Sequence, residues 1–174
     1  MAGMRREPVM TPEGVVIRDA EEADLGRVVE LLVLGPVPGG PADTEDPDDL
    51  GPYRAALRDI VGSGGAVLVA ERAGAVVGVC QLFVFRHLQA HGGLCAEVES
   101  MHVHPDHRNG GVGAALLGEA VARSRALGCY RLQLTSNTAR PDAHRFYERL
   151  GFMPSHVGFK MRLTRAPAPD VATL

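Results

Sequence analysis

The sequence predicts a mixed α/β fold in which helices cover the faces of one sheet. Three observations predict it. Alternating apolar segments and segments with a 3.6-residue apolar period follow one another along the chain. Glycine and proline clusters mark most of the changes. A glycine-rich turn joins one strand directly to a helix. The predicted order is β, α, α, β, β, β, α, β, α, β, and 174 residues are enough for one domain with its own core.

Gly14 to Asp19 forms the first strand, and Asp19 with Glu22 three residues later resembles a capping box. Leu25, Val28, Val29 and Leu32 then fall on one helical face. From Gly35 to Gly51 prolines and glycines break regular structure, and five acids between Asp43 and Asp49 keep the segment solvated. A helix follows from Pro52 to Val61, ended by Ser63-Gly64-Gly65. Strands are expected at Ala66 to Arg72, Val76 to Arg86 and Leu94 to Val103, with Ala73-Gly74 as the first turn. In the third, alternation puts Glu97, Glu99, Met101 and Val103 on one face and Val98, Ser100 and His102 on the other. The next helix runs from Gly111 to Leu127, with Gly128 at its C-terminal cap. Cys129 to Thr135 is a strand, Pro141 opens a helix that stops at Gly151, and Phe159 to Leu163 is a last strand. The expected folded domain is 14–164, between tails at 1–13 and 165–174.

Composition narrows the function. A net charge of −3 lacks the basic stripe of a nucleic-acid binder. No apolar run approaches the ~20 residues that cross a bilayer, and Arg5 and Arg6 are followed by no apolar stretch of the kind a secretory signal needs. Cys80, Cys95 and Cys129 fit neither a disulfide framework nor a zinc-site spacing, so a reducing cytoplasm is expected.

The segment with most chemical content is Arg108-Asn109-Gly110-Gly111-Val112-Gly113-Ala114, placed between a strand and a helix. Glycines there let backbone N–H groups converge on an anion, and the helix N-terminus adds about half a positive charge. Such a turn is a ready phosphate site. No Lys follows it as in a Walker loop, and it comes too late in the chain for a dinucleotide fingerprint. On spacing alone a purely structural turn remains open.

Arg108-x-x-Gly111-x-Gly113, then Asn137, then Phe146-Tyr147-Glu148-Arg149-Leu150-Gly151-Phe152 resembles the GNAT N-acetyltransferase superfamily, from about Val15 to Leu163. Asp142-Ala143-His144-Arg145-Phe146-Tyr147 with Ser155-His156 resembles its aminoalkylphosphonate N-acetyltransferase branch. The resemblance implies a mixed, mostly antiparallel sheet of roughly six or seven strands, about four helices, and two central strands that splay. It implies acetyl-CoA as cosubstrate and transfer of its acetyl group to the primary amine of a small molecule, by direct attack in a ternary complex. Transfer to protein lysines or N-termini and a non-catalytic acyl-CoA sensor are the alternatives. Many such relatives are homodimers, so a homodimer is expected.

Residue by residue, the resemblance places Met101, His102 and Val103 along the pantetheine arm and the Arg108–Ala114 turn on the pyrophosphate. Asn137 and Phe146 lie near the pantetheine. Tyr147 matches the acid that protonates the departing thiolate, or else simply packs on its helix. Glu99 matches a carboxylate that accepts the amine proton or orients the cationic substrate, with Glu97 as a substrate contact. His144 and His156 match the phosphonate-modifying branch near the acceptor. His102, His104 and His107 invite a metal, but His102 and His104 share a strand face while His107 lies past Pro105, so no metal site is expected. The acidic loop Asp43 to Asp49 is a solvated segment or a lid for a cationic amine.

Overall fold

The structure, a computed structural model, describes residues 6–11, 13–35, 43, 46 and 49–161. Six strands form one sheet in sequence order: β1 (Val9–Met10), β2 (Val16–Asp19), β3 (Ala66–Arg72), β4 (Ala75–Arg86), β5 (Leu94–Val103) and β6 (Cys129–Leu134). Neighbours are antiparallel except β5 and β6, which are parallel. A parallel pair needs a long crossover, and helix α3 (Val112–Ala126) supplies it. The β3–β4 turn is tight because Ala73 and Gly74 both take positive φ, 52° and 79°, as a two-residue hairpin of the favoured twist requires.

The sheet buries both faces. On one side α1 (Leu25–Leu34) and α2 (Gly51–Gly62) cover Val67, Val69, Val76 and Val79 with Val28, Leu31, Leu57 and Ile60. On the other side α3 buries Val112, Leu116, Leu117 and Ala120. Gly78 lets α3 come close, since a Cβ there would stand 3.0 Å from Val112 Cγ1 and 3.1 Å from Leu116 Cδ1. Arg123 fastens α3 to the sheet: it donates to Glu119 at 2.7 Å and to Asp19, the last residue of β2, at 2.5 Å.

Four sequence expectations need correction. The capping box forms two residues later than expected: Glu21 is the cap and Asp24 the reciprocating acid, because Asp19 is taken by Arg123. The strict alternation along β5 fails. Gln81 pairs with Glu99 and Val79 with His102, so Cys80 faces both Ser100 and Met101. This β-bulge, with Ser100 at φ 49°, turns His102 onto the face of Glu97 and Glu99 and takes Met101 and Val103 off it. His104 does not share a strand face with His102; it lies beyond β5 and starts a 3₁₀ turn over Pro105–His107. The last strand is not formed over Phe159 to Met161, where Phe159 and Met161 are 94 % and 86 % exposed. Their alternation marks a face, but a strand exists only through a ladder partner. Leu163 and most of the acidic loop lie outside the described residues.

The chain divides into two compact units, residues 1–135 and 136–174. The first holds the whole sheet and α1 to α3. The described part of the second is built on α4 (Pro141–Arg149), which Pro141 opens.

Candidate cofactor and acceptor site

The glycine-rich turn folds as a left-handed bend that opens a helix. After the 3₁₀ turn, Arg108 is extended and its Nε donates to the Val103 carbonyl at 3.2 Å. Asn109 and Gly111 take positive φ, 60° and 82°, and Gly111 is the N-cap of α3. The Gly111 carbonyl accepts the first helical bond, from Ala115 N at 2.9 Å. The N–H groups of Val112, Gly113 and Ala114 therefore precede the intrahelical ladder. Near the place of a Gly111 Cβ only the flexible Glu13 side chain comes within 4 Å, at 3.6 Å. The residues present fit a diphosphate: a left-handed glycine, successive outward amides and the positive end of a 15-residue helix.

Beside this bend β5 loses a neighbour. Its pairing with β6 ends at Val98–Leu134, while its pairing with β4 continues to Val103. Residues 99–103 thus have a strand on one edge alone among the described residues. His104 N–H donates to Val77 C=O at 2.9 Å, toward β4. By alternation the Val103 N–H faces the other, open edge.

Cross-strand partners on the face that carries Glu97 organise a polar row. Gln133 Nε2 donates to Glu97 at 2.9 Å and Thr135 Oγ1 lies 3.5 Å from Glu99. Arg131 Nε approaches Cys95 Sγ at 3.2 Å, and its Nη2 is 3.3 Å from His87 Nε2. One face therefore carries two carboxylates and, further along the same strands, a guanidinium with an imidazole. Nothing in the sequence singled out these four: the parallel register β5–β6 brings Arg131, Gln133 and Thr135 there, and the antiparallel β4–β5 ladder, which His87 extends through its N–H to the Gly93 carbonyl, brings His87.

A family model described as Acetyltransferase (GNAT) family matches residues 30–152. The chain belongs to the GNAT acetyltransferase family. Over 95 residues it is 37 % identical to the aminoalkylphosphonate N-acetyltransferase of Salmonella typhimurium, a match covering 55 % of this chain and 61 % of that enzyme. The chain thus spans less than two thirds of that relative's length. It is 31 % identical over 139 residues to a glucosamine 6-phosphate N-acetyltransferase of Trypanosoma brucei brucei, covering 78 % of this chain and 87 % of the relative. Among solved structures it is similar to a transcriptional regulator of Bacillus halodurans C-125, with TM-score 0.79 and 33 % identity over 86 % of this chain and 99 % of that one. An acetyltransferase of Trypanosoma brucei matches with TM-score 0.69 and 27 % identity, over 86 % and 99 % of the two chains.

The remaining GNAT-matched residues lie in the second unit. Tyr147 sits between two rings, Phe146 at 5.2 Å and Phe152 at 6.0 Å between centroids. Asn137 shapes the entry to α4: its Oδ1 accepts from Ala139 N at 2.9 Å, and its carbonyl is 2.9 Å from His144 Nε2. His156 lies 2.8 Å from Ser155 Oγ, so the two histidines have separate partners. In the first unit the ring of His102 packs against Gly35, while His104 and His107 stack edge-on at 5.8 Å. Among the described residues no three His, Cys, Asp or Glu side chains converge on a metal position, and no helix is long and apolar enough to cross a membrane.

Proposed function

We propose that this GNAT protein transfers the acetyl group of acetyl-CoA to the primary amine of a small molecule that also carries a phosphate or phosphonate. The observation that carries the reading is the bend at Gly111 beside the open edge of β5. The bend's amides receive the diphosphate, Val103 and Met101 offer backbone to the pantetheine along the unpaired edge, and His102 lies between them. Asn137 and Phe146 serve the same arm, on the strength of the family motif. The acceptor class rests on the relatives, an aminoalkylphosphonate and a glucosamine 6-phosphate acetyltransferase. The polar row suits such an acceptor, with Glu97 and Glu99 for the ammonium and Arg131 for the anion. His144 and His156 are further acceptor contacts.

Glu99 takes a proton from the ammonium, whose ordinary pKa near ~10.4 leaves about one molecule in a few thousand neutral at pH 7. The amine nitrogen then attacks the thioester carbonyl, and backbone N–H groups by the bulge steady the oxyanion. As the C–S bond breaks, Tyr147 donates a proton to the departing sulfur; the acylated nitrogen releases its second proton to solvent, from which Tyr147 is reprotonated. Attack is direct: burial pushes the Cys80 thiol up to about 12, Cys95 is fully buried, and such thiols are poor acyl carriers. Three unpaired thiols suit a reducing cytoplasm, and assembly as a homodimer belongs to the same proposal. An acetyl-CoA-dependent thiol-release assay over amines with and without a phosphorus anion tests it. Turnover concentrated on the phosphorylated or phosphonylated amines is expected; turnover of peptides alone would overturn it.

A further inference from the structure

We infer that Arg72, at the end of β3, is a positioning residue that aims the Gly111 amide at the cofactor's diphosphate. This rests on the reading of the bend as the diphosphate site. Arg72 lies 38 residues before Gly110, yet its Nη2 donates to the Gly110 carbonyl at 2.7 Å. Its Nη1 stands 3.0 Å from where a Gly110 Cβ would be, so the guanidinium lies directly on the loop backbone, where a side chain at 110 would crowd it.

The consequence follows from peptide geometry. The Gly110 C=O and the Gly111 N–H belong to one planar trans unit and point in opposite directions. Holding the oxygen on Arg72 therefore turns the N–H the other way. A carbonyl facing the diphosphate would repel it, and with Gly111 at φ 82° and Asn109 at φ 60° the peptide between has few steric reasons to prefer one orientation. Arg72 supplies the preference. Its own Nε is buried without a hydrogen-bond partner, so the Gly110 carbonyl is the polar contact that fixes the guanidinium. Arg108 likewise holds a carbonyl, that of Val103 two strands away, but there the N–H of the same peptide, that of His104, is bonded to Val77.

The test compares two acyl donors, acetyl-CoA and S-acetyl-pantetheine, which lacks the diphosphate. For Arg72→Gln the expected result is at least a tenfold weaker calorimetric Kd for CoA and a tenfold lower kcat/KM with acetyl-CoA. The kcat/KM with S-acetyl-pantetheine stays within twofold of the parent. Arg72→Lys, with one donor in place of a fork, is expected to lose three- to tenfold with acetyl-CoA alone, and it carries the test if Arg72→Gln does not fold. Equal losses with both donors would show a merely structural role and overturn the inference, as would no loss with either. If the parent protein itself does not prefer acetyl-CoA to S-acetyl-pantetheine, the reading of the bend has failed, a different outcome from failure of Arg72.

Discussion

Replacing Gly78 by alanine tests whether α3 and the bend at its start are held by close packing on β4. The new methyl would stand 3.0 Å from Val112 Cγ1, 3.1 Å from Leu116 Cδ1 and 3.2 Å from the His102 carbonyl oxygen. Ordinary contact between carbons is about 3.5–4.0 Å, so the first turn of α3 must withdraw by roughly 0.5–1 Å. The carbonyl, being strand backbone, has little freedom to move. Such overpacking costs about 1–3 kcal/mol, of which up to about 1 kcal/mol is offset because alanine restricts the unfolded chain more than glycine does. At 2–4 °C per kcal/mol for a chain of this size, a net cost of up to about 3 kcal/mol lowers the melting temperature by as much as roughly 12 °C. Val112 directly follows Gly111, so the displaced turn carries the bend with it, and CoA affinity falls about tenfold, or 1.4 kcal/mol. Circular dichroism on heating and calorimetric titration with CoA read the two effects. The double variant with Val112→Ala removes the nearest clash and is expected to recover part of both. A Gly78→Ala protein with the parent's melting temperature and CoA affinity would refute the packing argument.

Three further outcomes are expected. Arg123→Met leaves the buried Glu119 and the Asp19 carboxylate without their shared cation, costing about 3–5 kcal/mol; a urea midpoint within error of the parent would contradict this. The Arg18 guanidinium holds the Asp24 carboxyl below its ordinary range, aided by the Glu21 backbone N–H and opposed by burial. Because the folded value is the lower one, this stabilisation is complete above the ordinary value near ~3.9 and is lost as pH falls through the folded value. Arg18→Met should therefore be less stable than the parent at pH 6, with the gap closing below about pH 4; a gap that widens there would argue against the pair. Tyr147→Phe should lower kcat on the order of 10²-fold and remove the alkaline limb of its pH profile; an unchanged rate and profile would assign the proton to another group.

Much of the fold was legible because its signals are local. The Ala73-Gly74 turn, the strands around it and the limits of α3 follow from patterns within a few residues. The bend at Gly111 was legible for the same reason. What escaped depends on partners distant in sequence. Nothing local marks Ser100 for a positive φ, so the bulge that moves His102 to the carboxylate face is visible only against Gln81 and Val79. Arg72 meets Gly110 only because the fold brings the loop before α3 against the end of β3, and Val9–Met10 become a strand only by pairing with Val16 and Ile17. The error at Phe159 has the opposite origin, an alternating pattern without a ladder to join.

The central claim is that the amides of Gly111, Val112 and Gly113 receive the diphosphate of coenzyme A. Titration of isotopically labelled protein with CoA, followed through its backbone amide resonances, tests it most directly. These three amides should shift saturably with CoA, and with ADP, but not with pantetheine. Saturating CoA that leaves them unmoved while shifting amides elsewhere would contradict the account.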